Sequence, residues 1–318
     1  MYRRGFLKSI GTLCSTSIGH GFVPTAAPAL RRFRVGAISD GFSQDLEEAL
    51  KIMKTFGLVW VEIRAVFGIY NTEATPAQIQ RLKDLLEKYQ FRVSVIDSAL
   101  YKCALPGTKP VKGEKDIYAY TDQIELLKRA CDRAHALGTD KIRGFTFWRV
   151  TEPQTLSRRI AEELAKAVEV AKGAGMRLVI ENEGSCNAAT GRELADVLNI
   201  VPASNLGANW DVGNGYSHRE ISFPDGYRAL DKKRIWHMHL KGIACSAGLQ
   251  NCSETLVGES QIDLAGQFRQ LLRDGYQETM SLECEFKAPG LTHVETARRS
   301  LADLLRVMNA AAATRDER

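Results

Sequence analysis

The chain has no C-x-x-C pair, no glycine-rich phosphate loop and no second long apolar run, and each absence removes a class of function. Seven cysteines are spread over 318 residues, and without paired spacing a structural zinc site has no ligand frame. The first β-rich run continues into "VGAISDGFS" rather than G-x-G-x-x-G, so a dinucleotide fold lacks its fingerprint. No segment approaches the roughly 20 apolar residues of a membrane helix. Net charge is only +5, and Arg3, Arg4 and Lys8 carry three of those charges, with no acid before Asp40. That balance gives no argument for nucleic acid. No linker or low-complexity segment divides the chain, so one domain is expected.

What is present begins at the N-terminus. "YRRGFLKSIG" is followed by a mildly apolar stretch to Val23, and "TAAPAL" offers an A-x-A site ending at Ala29. This resembles a twin-arginine export signal, so residues 1–29 are read as a leader and 30–318 as the mature domain. Export through the twin-arginine machinery, which carries folded proteins, implies a periplasmic or secreted bacterial protein. Cys14 lacks small residues before it and lies too early for a lipid anchor. The remaining alternative is a basic N-terminal tail. Cys245 and Cys252 share one loop; in an oxidising compartment they pair, otherwise they are two free thiols.

From Phe33 onward, β-rich runs alternate with amphipathic segments. The runs are Phe33–Ile38, Leu58–Arg64, Arg92–Asp97, Lys141–Phe147, Arg177–Glu181, Leu206–Asp211, Ile235–Leu240 and Thr279–Glu283. Helices are expected at Asp45–Thr55, Pro76–Tyr89, Tyr118–Leu137, Glu152–Lys172, Asp263–Asp274 and Val294–Asn309, several closed by glycine. This alternation, in this length, predicts a single (β/α)8 TIM barrel. Long segments after the third and seventh strands (98–116 and 241–261) would lie over one mouth as substrate lids.

In such a barrel the chemistry sits at the carboxyl ends of the strands. Strands five to eight end in "VIENEG", "NWDVGN", "HMHLKG" and "SLECEF", which deliver Glu181, Asp211, His239 and Glu283 to one rim. Three carboxylates around an imidazole repel one another unless a cation lies among them. An O,O,O,N donor set suits Mn²⁺ first, with Mg²⁺, Co²⁺ or Zn²⁺ as alternatives. His237 lies one same-face layer deeper, about 6–7 Å down the strand. It is read as an interior residue that supports a ligand, not as a ligand.

"VIENEG", "ANWDVGN", "WHMHLKG" and "SLECE" resemble the xylose isomerase-like sugar isomerase/epimerase superfamily over nearly the whole mature chain. "GLVWVEIR" and "LGTDKIRGFTFWR" are similar to its second and fourth strands. The resemblance implies that Glu181, Asp211, His239 and Glu283 ligate one divalent metal. It also implies that Glu181 and Glu283 move protons on opposite faces of a sugar. The activity implied is isomerisation or epimerisation through an enediolate, on a non-phosphorylated carbohydrate if export holds. The alternative is a lyase that eliminates a β-substituent from a keto-sugar or 3-keto-glycoside; a sugar-binding barrel without catalysis is a third reading. Endonuclease IV shares the fold but needs a histidine-rich zinc cluster, and this chain has six histidines, one of them in the leader.

The pattern departs from many relatives at Asn214, Glu183 and Gly242, where histidine, histidine and aspartate are usual, so no particular substrate carries over. Other candidates keep two readings each. Lys241 polarises a carbonyl or binds a hydroxyl, or is solvated. Arg143 contacts substrate, or pairs with Glu62. Trp148 stacks on a sugar face, or packs. Glu62, Glu183 and Glu285 are read as supporting groups, and His218 as exposed. Homo-oligomerisation stays open.

Overall fold

The computed structural model describes residues 28–313, so the arginine pair, Cys14 and most of the leader lie outside the described residues. Eight strands form the barrel: β1 (Arg34–Ala37), β2 (Trp60–Ile63), β3 (Arg92–Leu100), β4 (Lys141–Gly144), β5 (Arg177–Glu181), β6 (Leu206–Asp211), β7 (Ile235–Leu240) and β8 (Thr279–Leu282). Each pairs in parallel with the next from β2 to β8, and β8 pairs with β1. A parallel bridge between Ile38 and Glu62 joins β1 to β2. The fold is the expected (β/α)8 barrel, with all eight strands present. β3 runs on to Leu100 and β4 stops at Gly144, so these two carboxyl ends differ from the sequence reading.

The helices are α1 (Leu46–Thr55), α2 (Pro76–Tyr89), α3 (Gln123–Leu137), α4 (Ser157–Gly173), α5 (Gly191–Ile200), α6 (Val212–Ser217), α7 (Leu264–Arg273) and α8 (His293–Ala313). Their starts follow capping chemistry. The Asp45 carboxylate accepts from the Glu47 and Glu48 amides, and Thr75 forms a capping box with Gln78 across Pro76. The expected helices at Tyr118 and Glu152 begin later, each behind a 3₁₀ turn (Tyr120–Asp122 and Pro153–Leu156). α5 and α6 were absent from the sequence reading. A second capping box, Thr190 with Glu193, was the available signal for α5.

The apolar core lies between strands and helices, where Leu50, Leu82, Leu127, Leu164, Leu194 and Leu301 are fully buried. The axis of the barrel is polar instead. Glu62, Asp97, Lys141, Arg143, Asn209, His237, His239 and Thr279 are all buried. Register stacks them in layers, with Asn209 beside His237 beside Thr279, and Asp211 beside His239 beside Ser281.

The segment after β7 is a hairpin, Gly242–Ser246 against Gln250–Thr255, crosslinked by the Cys245–Cys252 disulfide. Of the two readings for these cysteines, the paired one holds. Cys103, Cys131, Cys186 and Cys284 are buried free thiols. The segment after β3 is tied down through Asp116, whose Oδ1 accepts from the Ala104 amide at 2.9 Å and from Trp148 Nε1 at 2.8 Å. Before β1, a helical turn (Pro28–Arg32) docks on α8, where the buried Ala29 donates its amide to Asn309 Oδ1 at 2.8 Å. No helix among the described residues is long and apolar enough to cross a membrane.

Candidate metal and active site

Glu181 and Asp211 are the last residues of β5 and β6, His239 is next to last in β7, and Glu283 follows β8. Donor atoms of these four buried side chains all lie within 4.8 Å of one another. His239 Nδ1 is 3.2 Å from Glu181 Oε1, 3.5 Å from Glu283 Oε2 and 3.8 Å from Asp211 Oδ2. Local structure fixes Asp211 firmly. Its Oδ1 caps α6 by accepting the Asn214 amide at 2.8 Å, while Asn182 bonds both its backbone N–H and its carbonyl.

The groups at this rim shift one another's proton affinity. Burial pushes the Asp211 carboxyl up to about 7, and the Glu283 and Glu181 carboxylates add to that rise against the pull of Lys241. Burial also opposes ionisation of Glu283, but Lys241, His239 and Arg64 hold it well below the usual carboxylate range. For His239, burial disfavours the charge, yet Glu62, Glu181 and Glu283 outweigh it and hold the imidazole well above its ordinary value. Asp211 Oδ2 accepts no hydrogen bond and faces Lys241 Nζ at 2.9 Å. A buried group of three carboxylates and one imidazole, its donor atoms within 4.8 Å of one another, fits a divalent cation.

Lys241 is therefore not a solvated loop residue. Its Nζ contacts Glu283 Oε2 at 2.5 Å as well as Asp211. Gly213 makes this reach possible, because a Cβ there would stand 2.3 Å from Lys241 Cγ. Arg143 pairs with Asp97 at 3.2 Å and with Glu181 at 3.0 Å, and not with Glu62 as the sequence reading allowed. Trp148 is buried against Phe145 and Cys186 and its indole N–H is taken by Asp116, so it packs and presents no face for a sugar. His218 is half-buried at the end of α6, with Nδ1 3.1 Å from the Asn214 carbonyl, rather than exposed.

His237 sits a layer below His239, with no atom in the four-residue cluster. Glu62 spans the two histidines, its Oε2 2.9 Å from His237 Nε2 and its Oε1 2.9 Å from His239 Nε2. Asn214 Nδ2 donates to Glu181 Oε1 at 3.4 Å. Glu183 turns to the Ser185 amide and hydroxyl, and Glu285 pairs with Arg64.

A cavity of about 240 Å³ reaches the cluster at Glu283, lined also by Arg64, Tyr70, Lys102, Arg143 and Glu183 among others. Arg64, Tyr70 and Lys102 were not among the sequence candidates. Arg64 joins Asp40 at 3.1 Å to Glu283 at 3.2 Å. The run "VEIR" placed Arg64 at a strand exit, which was its signal; Tyr70 and Lys102 arise from loops and had none.

The profile of the family described as xylose isomerase-like TIM barrel matches residues 46–311. The chain belongs to this family. Among solved structures of similar shape is an IolI protein with a bound zinc atom, at 15% identity and TM-score 0.69, covering 87% of this chain and 99% of that one. Another is a xylose isomerase-like TIM barrel protein from Mycobacterium smegmatis in complex with magnesium, at 14% identity and TM-score 0.63, covering 88% and 97%. A third is an L-ribulose 3-epimerase, at 19% identity and TM-score 0.62, covering 89% and 97%. At these identities the likeness is one of fold. No curated protein gives a significant sequence match.

Proposed function

We propose that this xylose isomerase-like barrel is a divalent-metal-dependent isomerase or epimerase of a free sugar. The observation that carries the reading is the buried Glu181–Asp211–His239–Glu283 cluster, its donors within 4.8 Å of one another and its Glu283 bordering a polar cavity of monosaccharide scale. Neighbours of similar fold include a ribulose 3-epimerase and proteins holding zinc or magnesium, which supports the same class. These four residues would hold the ion. When bound, the ion supplies Lewis-acid polarisation of the substrate carbonyl and offsets the negative charge that grows on its oxygen. Manganese is the first choice for an oxygen-rich site, and magnesium, cobalt and zinc are alternatives.

The chain's own groups then divide the work. One of Glu181 and Glu283 removes the proton from the carbon beside the carbonyl, and the other returns a proton on the opposite face. Arg143, 3.0 Å from Glu181, and Lys241, against Glu283, set the approach of each carboxylate. Arg64 and Lys102 border the cavity where substrate hydroxyls would lie.

The test uses purified protein loaded with Mn²⁺ and offered free ketoses and 3-keto-glycosides in D₂O, followed by NMR. Deuterium at the α-carbon with the carbon skeleton intact is the expected result, and a chelator should abolish it. Loss of a leaving group from a glycoside would assign a lyase instead. Binding without exchange for any substrate or metal would leave a carbohydrate-binding barrel and overturn the proposal.

A further inference from the structure

The polar axis beneath the cluster is a single file of hydrogen bonds. Lys141, the first residue of β4, donates from Nζ to Thr279 Oγ1 at 2.9 Å, and also reaches the Trp236 carbonyl at 3.1 Å and Glu278 at 3.0 Å. Thr279 Oγ1 lies 2.7 Å from His237 Nδ1. His237 Nε2 meets Glu62, and Glu62 meets His239 Nε2. The histidines, Glu62 and Thr279 are at most 2% exposed, so the file is shielded from bulk solvent.

Donor and acceptor accounting gives the file a direction. An ammonium has only protons to give. The Thr279 hydroxyl touches one other side chain besides Lys141, so its proton goes to His237 Nδ1. That leaves the His237 proton on Nε2, aimed at Glu62 Oε2. The carboxylate accepts at both oxygens, so His239 carries a proton on Nε2 and turns Nδ1 toward Glu181, Asp211 and Glu283. Asn209 also stands 3.1 Å from His239 Nε2 through its amide, and its oxygen has no other partner. Turned end for end, that oxygen shares the same proton and reinforces the direction.

We propose that Glu62 and His237, fed by Thr279 and Lys141, are positioning residues that fix which ring nitrogen of His239 faces the metal cluster. The proposal rests on the metal reading above, because a correctly turned Nδ1 matters only to a ligand it binds. Residues bonded to a metal-binding histidine commonly change metal affinity by about 10–100-fold when replaced.

Two kinds of variant separate direction from bulk. His237→Gln keeps an N–H donor near the place of Nε2, whereas His237→Met keeps volume without a donor. Glu62→Gln presents an amide N–H to one histidine, a donor facing a donor, which forces a ring to move its proton. Zn²⁺ affinity is measured by competition with a chromogenic chelator, ¹⁵N shifts of the histidine rings report the tautomers, and circular dichroism checks the barrel. His237→Gln should bind Zn²⁺ nearly as the parent does, while His237→Met should lose about 10-fold or more. Glu62→Gln should lose more and shift the His239 Nε2 resonance.

Equal affinity in His237→Gln and His237→Met, with folded protein in both, overturns the proposal. So does Zn²⁺-bound parent protein in which Nε2 of His239 carries no proton. If Glu62→Gln fails to fold, the His237 pair still decides. A parent that binds no Zn²⁺, Mn²⁺ or Mg²⁺ at all would sink the metal reading; the His237 tautomer in that protein would then test the file alone, with a proton on Nδ1 overturning it.

Discussion

At the scale of single residues, Glu283 carries two assignments that one substitution can pull apart. Its carboxylate is a candidate ligand beside His239 and also the partner of Lys241 and Arg64. Glu283→Gln preserves size and one oxygen donor but removes the titratable group. Metal binding should weaken yet still saturate at excess Mn²⁺, while α-proton exchange should fall about 10²–10⁴-fold, the usual contribution of a general base. The pairing of metal analysis with NMR exchange rates checks both halves. A variant that holds metal and turns over near the parent rate would make Glu283 a ligand only, and move the proton work to Glu181 or Lys241.

At the scale of elements, the start of α5 is held by two carboxylates: Glu220 accepts from the Gly191 amide at 2.7 Å and the Arg192 amide at 3.1 Å, and Glu193 serves the residues just before them. Glu193 accepts from the Ala189 amide at 2.8 Å and the Thr190 amide at 3.2 Å, and Arg149 Nη2 donates to it at 2.7 Å. Burial opposes ionisation of Glu193, but Arg149 and the two amides outweigh it and lower its pKa below the ordinary 4.5. A carboxylate depressed in the folded state stabilises above its unfolded pKa, and that stability disappears as pH falls through the folded value. Glu193→Gln should therefore cost about 1–3 kcal/mol near neutral pH, with the difference from the parent shrinking steadily in acid below 4.5. Urea unfolding across that range measures it, and a cost independent of pH would mean the capping geometry, not the charge, matters. The same element marks what was legible from the residues. The eight strands were readable because buried parallel strands are short apolar runs, and four of them end on the polar residues that form the cluster. α5 was missed because its one strong signal is that capping box, ahead of only ten residues. The depth of Lys241 was hidden because it depends on Gly213 across the loop. Arg143 was placed inward correctly, but strand alternation names a face, not which of several inward carboxylates lies within reach.

At the scale of the whole molecule, the question is where this barrel works. The leader "YRRGFLK" resembles a twin-arginine address, and the described chain carries one crosslink, Cys245–Cys252, on the hairpin after β7. Disulfides persist in oxidising compartments and are rare in the cytoplasm, so address and crosslink point the same way by independent routes. We propose that the protein folds, crosses the inner membrane and works in the periplasm. Expressed in a bacterium that has the twin-arginine route, the parent should appear in the periplasm with Cys245 and Cys252 resistant to alkylation. The N-terminus of that fraction, read by mass spectrometry, should be Leu30. Cleavage there removes the Ala29 amide bond to Asn309, so the turn ahead of β1 should exchange its amide hydrogens faster in the mature protein than in the precursor. Arg3→Lys with Arg4→Lys should hold the precursor in the cytoplasm, with both hairpin thiols open to alkylation. Full export of that double variant would remove the twin-arginine assignment. Export with free hairpin thiols would keep the address and break the link between the crosslink and the compartment.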